Sequence, residues 1–299
     1  MKVLIAPDKF KDALSAIEVS QALAKGVLEA GYSPTQLPMA DGGEGTMAVM
    51  VEAYGGKYYT ATVHDPLMRP IEATFVILGD SQTAYVEMAE ASGAARLSRD
   101  ELNCYYTTSY GTGELIRAAL DKGVTSLMLG LGGSATSDGG AGMAAALGAQ
   151  FYSNDGLIET PAGGDLPQLQ QLRLNELDPR LSSIDITVLC DVEHALLGSD
   201  GTAYTFAPQK GASSEAVEEL EKGLQHLSSL VNQYLMVDPE KAGAGAAGGM
   251  GFGSKAFLGG NLVRGIEAVI AATKLNEHVK NQDLIITGEG KLDASTARG

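Results

Sequence analysis

The sequence predicts an α/β protein of about two domains. Its 299 residues, 44% of them hydrophobic, are more than a single core usually organises. Short apolar runs at 2–7, 127–131, 184–189 and 283–287 alternate with segments that keep helical spacing. At the carboxyl ends of these runs glycines gather with charged or hydroxyl residues, where open α/β sheets bind ligands.

The first run, KVLIAP, reads as a buried strand stopped at Pro7-Asp8. Asp8, Lys9, Lys11 and Asp12 cluster just beyond it, either as working groups at a strand end or as ion pairs of a solvated loop. Ser15 with Glu18 three residues on forms a capping box, and the helix it starts keeps apolar spacing until Gly31. A short strand through Leu37 leads to ADGGEGT (40–46), where Asp41 and Glu44 flank paired glycines ahead of a helix over 47–54. Bare backbone there lets a ligand approach both carboxylates, which suits magnesium or a substrate hydroxyl; a glycine turn capped by Asp has the same look. Residues 57–89 change character: three β-rich runs with turns at Asp65-Pro66 and Gly79-Asp80 predict an antiparallel meander.

The stretch 125–149 is the organising one. An apolar strand passes through Gly132, Gly133, Ser134, Ala135, Thr136, Ser137, Asp138, Gly139 and Gly140 into an Ala- and Met-rich helix. A strand feeding a small-residue helix through such a turn offers amides and the helix dipole to an anion, so a phosphate site is expected. Tight helix–strand packing is the other use of the same residues. Beyond it lie a looser polar stretch (155–181) and a strand delivering Asp191, as general base, metal ligand or helix cap. Lys210 then sits in a loop before an amphipathic helix whose buried face includes Val217, Leu220, Leu224 and Leu227. The GAGAAGGMGFG stretch (243–253) matches GxGxxG by count, but no strand precedes it, so it reads as a hinge or close-approach loop. The last strand carries GEGKLDAST, with Glu289, Lys291 and Asp293.

The totals exclude some classes. A net charge of −16 argues against wrapping nucleic acid or lying on an anionic membrane, and no apolar run is long enough for a span. Two cysteines form no disulfide framework, and a cytoplasmic protein is expected. No Walker-type loop, GxSxG or HExxH occurs. An oxidoreductase using the Gly130 turn lacks an acidic residue ending a second strand.

Seven stretches together, APDKFKDALSA, ADGGEGT, GLGGSATSDGGAG, CDVEHALLG, FAPQKGA, GAGAAGGMGFG and ITGEGKLDAST, resemble bacterial glycerate kinase of the class I type, in the family's order. The resemblance implies two α/β domains, Rossmann-like or flavodoxin-like, with the active site in the cleft between them. The first domain is then discontinuous, residues 1–65 with 262–299, and 66–261 is inserted and carries the glycine-rich loop. It implies ATP-dependent phosphorylation of D-glycerate to 2-phosphoglycerate with Mg2+. Phosphates are expected on Gly132, Gly133, Ser134, Thr136, Ser137, Asp138 and Gly139. Magnesium is expected on Asp191 with Asp41 or Glu44. Asp8, Lys9 and Asp191 are the expected catalytic groups, and Lys11, Asp41, Glu289, Lys291 and Asp293 the expected substrate contacts. Family members continue well past the TGEG loop, so a shortened form is expected here, either impaired, binding ligand without turnover, or completed in a homodimer.

Overall fold

The structure, a computed structural model, describes residues 1–10 and 13–291. Strand β1 (Lys2–Ile5) shows the period-2 logic of a buried strand: Val3 and Ile5 pack on Leu23, Ala24 and Val27 of helix α1 (Ala16–Glu29), while Leu4 faces the other way. The capping box forms as expected. Ser15 Oγ accepts from the Glu18 N–H at 3.2 Å, and Glu18 Oε2 accepts from the Ser15 N–H at 2.8 Å. Strand β2 (Ser33–Gln36) pairs with one edge of β1, and the last strand, spanning Leu284–Ile286, pairs with the other, both parallel.

After α2 (Thr46–Tyr54) comes the expected meander: β3 (Gly56–His64), β4 (Pro70–Leu78) and β5 (Thr83–Glu87), antiparallel in turn. A short α3 (Ala89–Ser92) and then α4 (Tyr110–Leu120) lead to β6 (Ser126–Gly130), the glycine-hydroxyl turn and α5 (Ala141–Ala146). The stretch read as loose and polar is ordered differently. It contributes to a small antiparallel sheet of β7 (Gln150–Ser153), β8 (Gly156–Ile158) and β9 (Gln171–Arg173), whose buried anchors Phe151 and Leu172 are too few to give an alternating pattern.

Strand β10 (Asp185–Leu189), α6 (Thr202–Phe206), α7 (Ser214–Val231), α8 (Ala246–Leu258), β11 (Asn261–Val263), α9 (Gly265–Thr273), α10 (Leu275–Val279) and β12 (Leu284–Ile286) complete the described chain. The principal sheet has six strands in the order β11-β10-β6-β5-β4-β3; the first four run parallel, and the last three form the antiparallel meander, β5 belonging to both. One of its faces, with Phe75, Val86, Leu127, Leu129 and Val188, packs on α4, α5 and α8. The other, with Val76, Tyr85 and Leu189, packs on α2 and α9, which lie between this sheet and the smaller β12-β1-β2 sheet.

The expected domain limits do not follow the sheets. The step from residue 65 to 66 separates β3 from β4, which pair along their whole length from Gly56↔Leu78 to His64↔Pro70, and a start at 262 cuts through β11. Asp65-Pro66 is a hairpin rather than a linker: Asp65 Oδ1 accepts from the Leu67 and Arg69 N–H groups at 2.8 and 2.9 Å. The GAGAAGGMGFG stretch is buried; it makes the close approach expected of it and runs on into regular helix from Met250. Its kink at Ala247, Gly248 and Gly249, all at positive φ, lets main chains meet: a Cβ on Gly249 would lie 2.9 Å from Gly139 Cα.

Candidate active site

The carboxyl ends of β1, β2, β6 and β10 converge, and they meet backbone to backbone. A Cβ on Gly132 would lie 2.5 Å from Gly43 Cα, and one on Gly42, at φ +90°, would lie 2.9 Å from Gly265 Cα. Only glycine allows this approach. On either side of that waist opens a cavity. One, of about 590 Å³, is lined by Asp8, Lys9, Asp41, Glu44 and the apolar side chains of Phe10, Leu14 and Met39 among others. The other, of about 470 Å³, is lined by Ser134, Asp191, Phe206, Gln209 and Lys210 among others. Asp41, Gly43, Gly132 and Gly133 border both.

Charge is concentrated along this cleft. Lys9 Nζ donates to the Glu44 carbonyl at 2.8 Å and reaches Asp41 Oδ1 at 3.5 Å, pinning the first loop to the second. Burial lifts the Asp8 carboxyl above its ordinary range, against the lowering effect of the Lys9 N–H it accepts; Asp41, and more weakly Glu289, add to the rise. Burial likewise pushes Asp191 up to about 6, although its Oδ1 accepts from the Ile266 N–H at 3.3 Å; Asp41 contributes here too. Asp191 therefore meets the N-terminus of α9, as the helix-cap reading expects, and also lines the cleft.

The glycine-hydroxyl turn divides in two. Gly132, Gly133 and Ser134 face the cleft. Thr136, Ser137, Asp138 and Gly139 lie behind it, fully buried. Asp138 accepts from Ser109 N–H (2.7 Å), Ser109 Oγ (2.7 Å), Gly140 N–H (3.1 Å) and Gly142 N–H (3.2 Å). The first amides of α5 are thus held by the protein's own carboxylate instead of being open to a ligand. A Cβ on Gly139, at φ +62°, would meet Leu227 Cδ2 of α7 at 2.5 Å, so this glycine serves packing.

The remaining expected residues scatter. Glu289 is half-buried and adds weakly to the rise of Asp8, and Lys291 is exposed. Lys11 and Asp293 lie outside the described residues. Two buried charged groups had no role assigned from the sequence. Lys210 stands in a short helical turn, its Nζ 2.6 Å from Ser134 Oγ and 2.8 Å from the Thr136 carbonyl. Glu87, at the end of β5, accepts from Met47 N–H at 2.6 Å and Gly45 N–H at 3.3 Å, and burial drives its carboxyl up to about 7. Both act across long sequence separations, which no local pattern encodes. The one available sign for Lys210 was a lysine beside a glycine in a tight turn.

The model of the glycerate kinase family matches residues 3–299. The chain belongs to the glycerate kinase family. A glycerate kinase of Bacillus cereus is 44% identical to it over 304 residues, spanning 100% of this chain and 79% of that protein. A glycerate 2-kinase of Escherichia coli is 45% identical over 304 residues, with the same coverage. Among solved structures, one from Salmonella typhimurium LT2 named for glycerate kinase 2 superposes with a TM-score of 0.89 at 44% identity, covering 99% of this chain and 80% of that one. Family membership makes the protein an enzyme, a kinase, with the α/β fold of the solved relative. Among the described residues no helix is long and apolar enough to cross a membrane.

A glycerate kinase that handles polyphosphate needs charge neutralisation, and magnesium usually supplies it from one or two carboxylates plus phosphate oxygens. Asp41 and Asp191 fit that habit: both border the second cavity, and Asp41 raises Asp191. Glu44 lines the first cavity instead. No group of three or more His, Cys, Asp or Glu that could hold a metal occurs among the described residues, so phosphate oxygens would have to complete the shell.

Proposed function

We propose that the protein transfers the γ-phosphoryl group of ATP to D-glycerate, giving 2-phosphoglycerate, in the cleft where the Lys9–Asp41 loop meets the Gly132–Ser134 turn. The supporting observation is the convergence of Asp8, Lys9, Asp41 and Asp191 around a glycine-only waist, in a chain of this family. Phosphoryl transfer demands positioning and charge neutralisation more than covalent chemistry, and those residue types supply both.

In this reading the phosphates lie along Gly132, Gly133 and Ser134, where missing side chains allow close approach. Lys9, tethered by Glu44 and Asp41, holds the glycerate carboxylate. Asp8 beside it, its proton affinity raised by burial, accepts the proton of the attacking hydroxyl. Asp41 and Asp191 would hold magnesium, which would neutralise phosphate charge. The domain division consistent with the sheets places the smaller sheet, with residues 1–55 and those following β11, in one unit and 56–263 in the other. Release of ADP from ATP and magnesium, with and without D-glycerate, tests the activity, and 31P resonance spectra of the product separate 2- from 3-phosphoglycerate. Glycerate-independent ADP release, or none, would overturn the reading.

A further inference from the structure

Lys210 is only 6% exposed, yet it lines the 470 Å³ cavity. Its ammonium has three protons. Two point at neutral acceptors, Ser134 Oγ and the Thr136 carbonyl. Among the described residues no carboxylate lies within ion-pair distance of it; the buried Asp138 acts only at longer range and is already committed to Ser109 and the start of α5. An ammonium taken from water without a counter-ion is costly, and proteins seldom bury one unless it is paired. Here Lys210 shares the lining of a cavity with Gly132 and Gly133, which have no side chains to obstruct an approaching anion.

We propose that Lys210 is a substrate-binding residue whose missing counter-ion is a phosphate oxygen of the nucleotide, with Ser134 and the Thr136 carbonyl holding the ammonium in place before the substrate arrives. The proposal rests on the kinase reading and deepens it. Together with Lys9, it gives each of two mutually repelling anionic substrates a cation of its own, one on either side of the glycine waist. Burial lowers the Lys210 ammonium to about 8, which leaves most of it charged at neutral pH. With no carboxylate at ion-pair distance, most of its field remains for the ligand.

The test measures binding and turnover separately. Calorimetric titration of the full chain with a non-hydrolysable ATP analogue and, separately, with D-glycerate is run on wild type, Lys210→Met and Lys210→Gln. The expected result is at least a roughly tenfold loss of affinity for the analogue in both variants, with D-glycerate affinity unchanged. A loss confined to D-glycerate, or both affinities within about twofold of wild type, overturns the proposal. Lys210→Gln keeps a donor toward Ser134 without the charge, so a purely structural role would be largely rescued in it. Should neither variant fold, 15N-lysine spectra of wild type and Lys210→Arg identify the Lys210 signal. That signal must then move when the analogue is added; its failure to move refutes the proposal. Because the binding arms need no turnover, absence of ADP release in wild type would refute the kinase reading while Lys210 was judged separately.

Discussion

The two halves of the glycine-hydroxyl turn share a composition and differ in what they face. Gly132 to Ser134 border the cleft, while Thr136 to Gly139 are sealed beneath it against α7 and α8. The phosphate-loop pattern is thus met twice over. In one half main chain is left open for a ligand; in the other the anion that a helix start attracts is already built in, as Asp138. A pattern of residue types describes which chemistry is possible. Whether an external anion or an internal carboxylate satisfies it depends on what packs on top, and here α7 and α8 decide.

That contrast can be broken most forcefully at Asp138. Asp138→Ala strands donors from Ser109, Gly140 and Gly142 in the core and is expected to cost about 3–5 kcal/mol by denaturant unfolding. The remaining folded molecules should keep a near-normal KM for ATP; a selective loss of nucleotide affinity would place Asp138 in the site after all. Asp191→Asn retains an acceptor for Ile266 and should stay within about 1 kcal/mol of wild-type stability, while kcat falls roughly 100-fold or more. Near-normal turnover would reduce Asp191 to a helix cap.

Ser134→Ala, on the open half, is expected to raise the KM for ATP about tenfold and, by removing an acceptor of the buried Lys210 ammonium, to cost about 1–3 kcal/mol in stability. Glu87 extends the comparison to α2. Its carboxyl titrates near 7 in the fold against 4.5 in the unfolded chain, so the folded state holds the extra proton between those values. The stability this confers is complete below about 4.5 and is lost as pH rises through about 7. Melting temperature should therefore fall between pH 5 and 8 more steeply for wild type than for Glu87→Gln; parallel curves would contradict the assignment. The smallest effect belongs to Thr136→Val. Its Oγ1 has no hydrogen-bond partner among the described residues, so the change should be neutral within about 1 kcal/mol and silent in kinetics.

Local signals in the chain were read well where the physics is local. The Ser15–Glu18 capping box, the β3-β4-β5 meander and the strand at 126–130 are set by neighbours a few residues apart, and each stands where its pattern puts it. The meeting of the 40–46 loop with the 130–134 turn was legible only as two similar clusters of glycine and charge, because their contact spans some 90 residues of chain. The anchoring of Asp138 by Ser109 left no local sign because the two lie 29 residues apart. Lys210 and Ser134, 76 apart, left no joint trace. The small sheet was missed for another reason: strands of three or four residues with at most one buried anchor each are below the length at which alternation becomes visible.

The glycine waist has an evolutionary consequence. Gly42, Gly43, Gly132 and Gly265 bring main chain against main chain, so the narrowest part of the cleft is drawn in atoms that every residue type shares. Divergence can alter the rim, residue by residue, without moving the distance between the two walls. It cannot enlarge Gly42, Gly132 or Gly265 without forcing them apart. Such a cleft would keep its reaction while its substrate preference drifts, and new specificities would be recruited from side chains such as Phe10, Leu14, Phe206 and Gln209 at the margins.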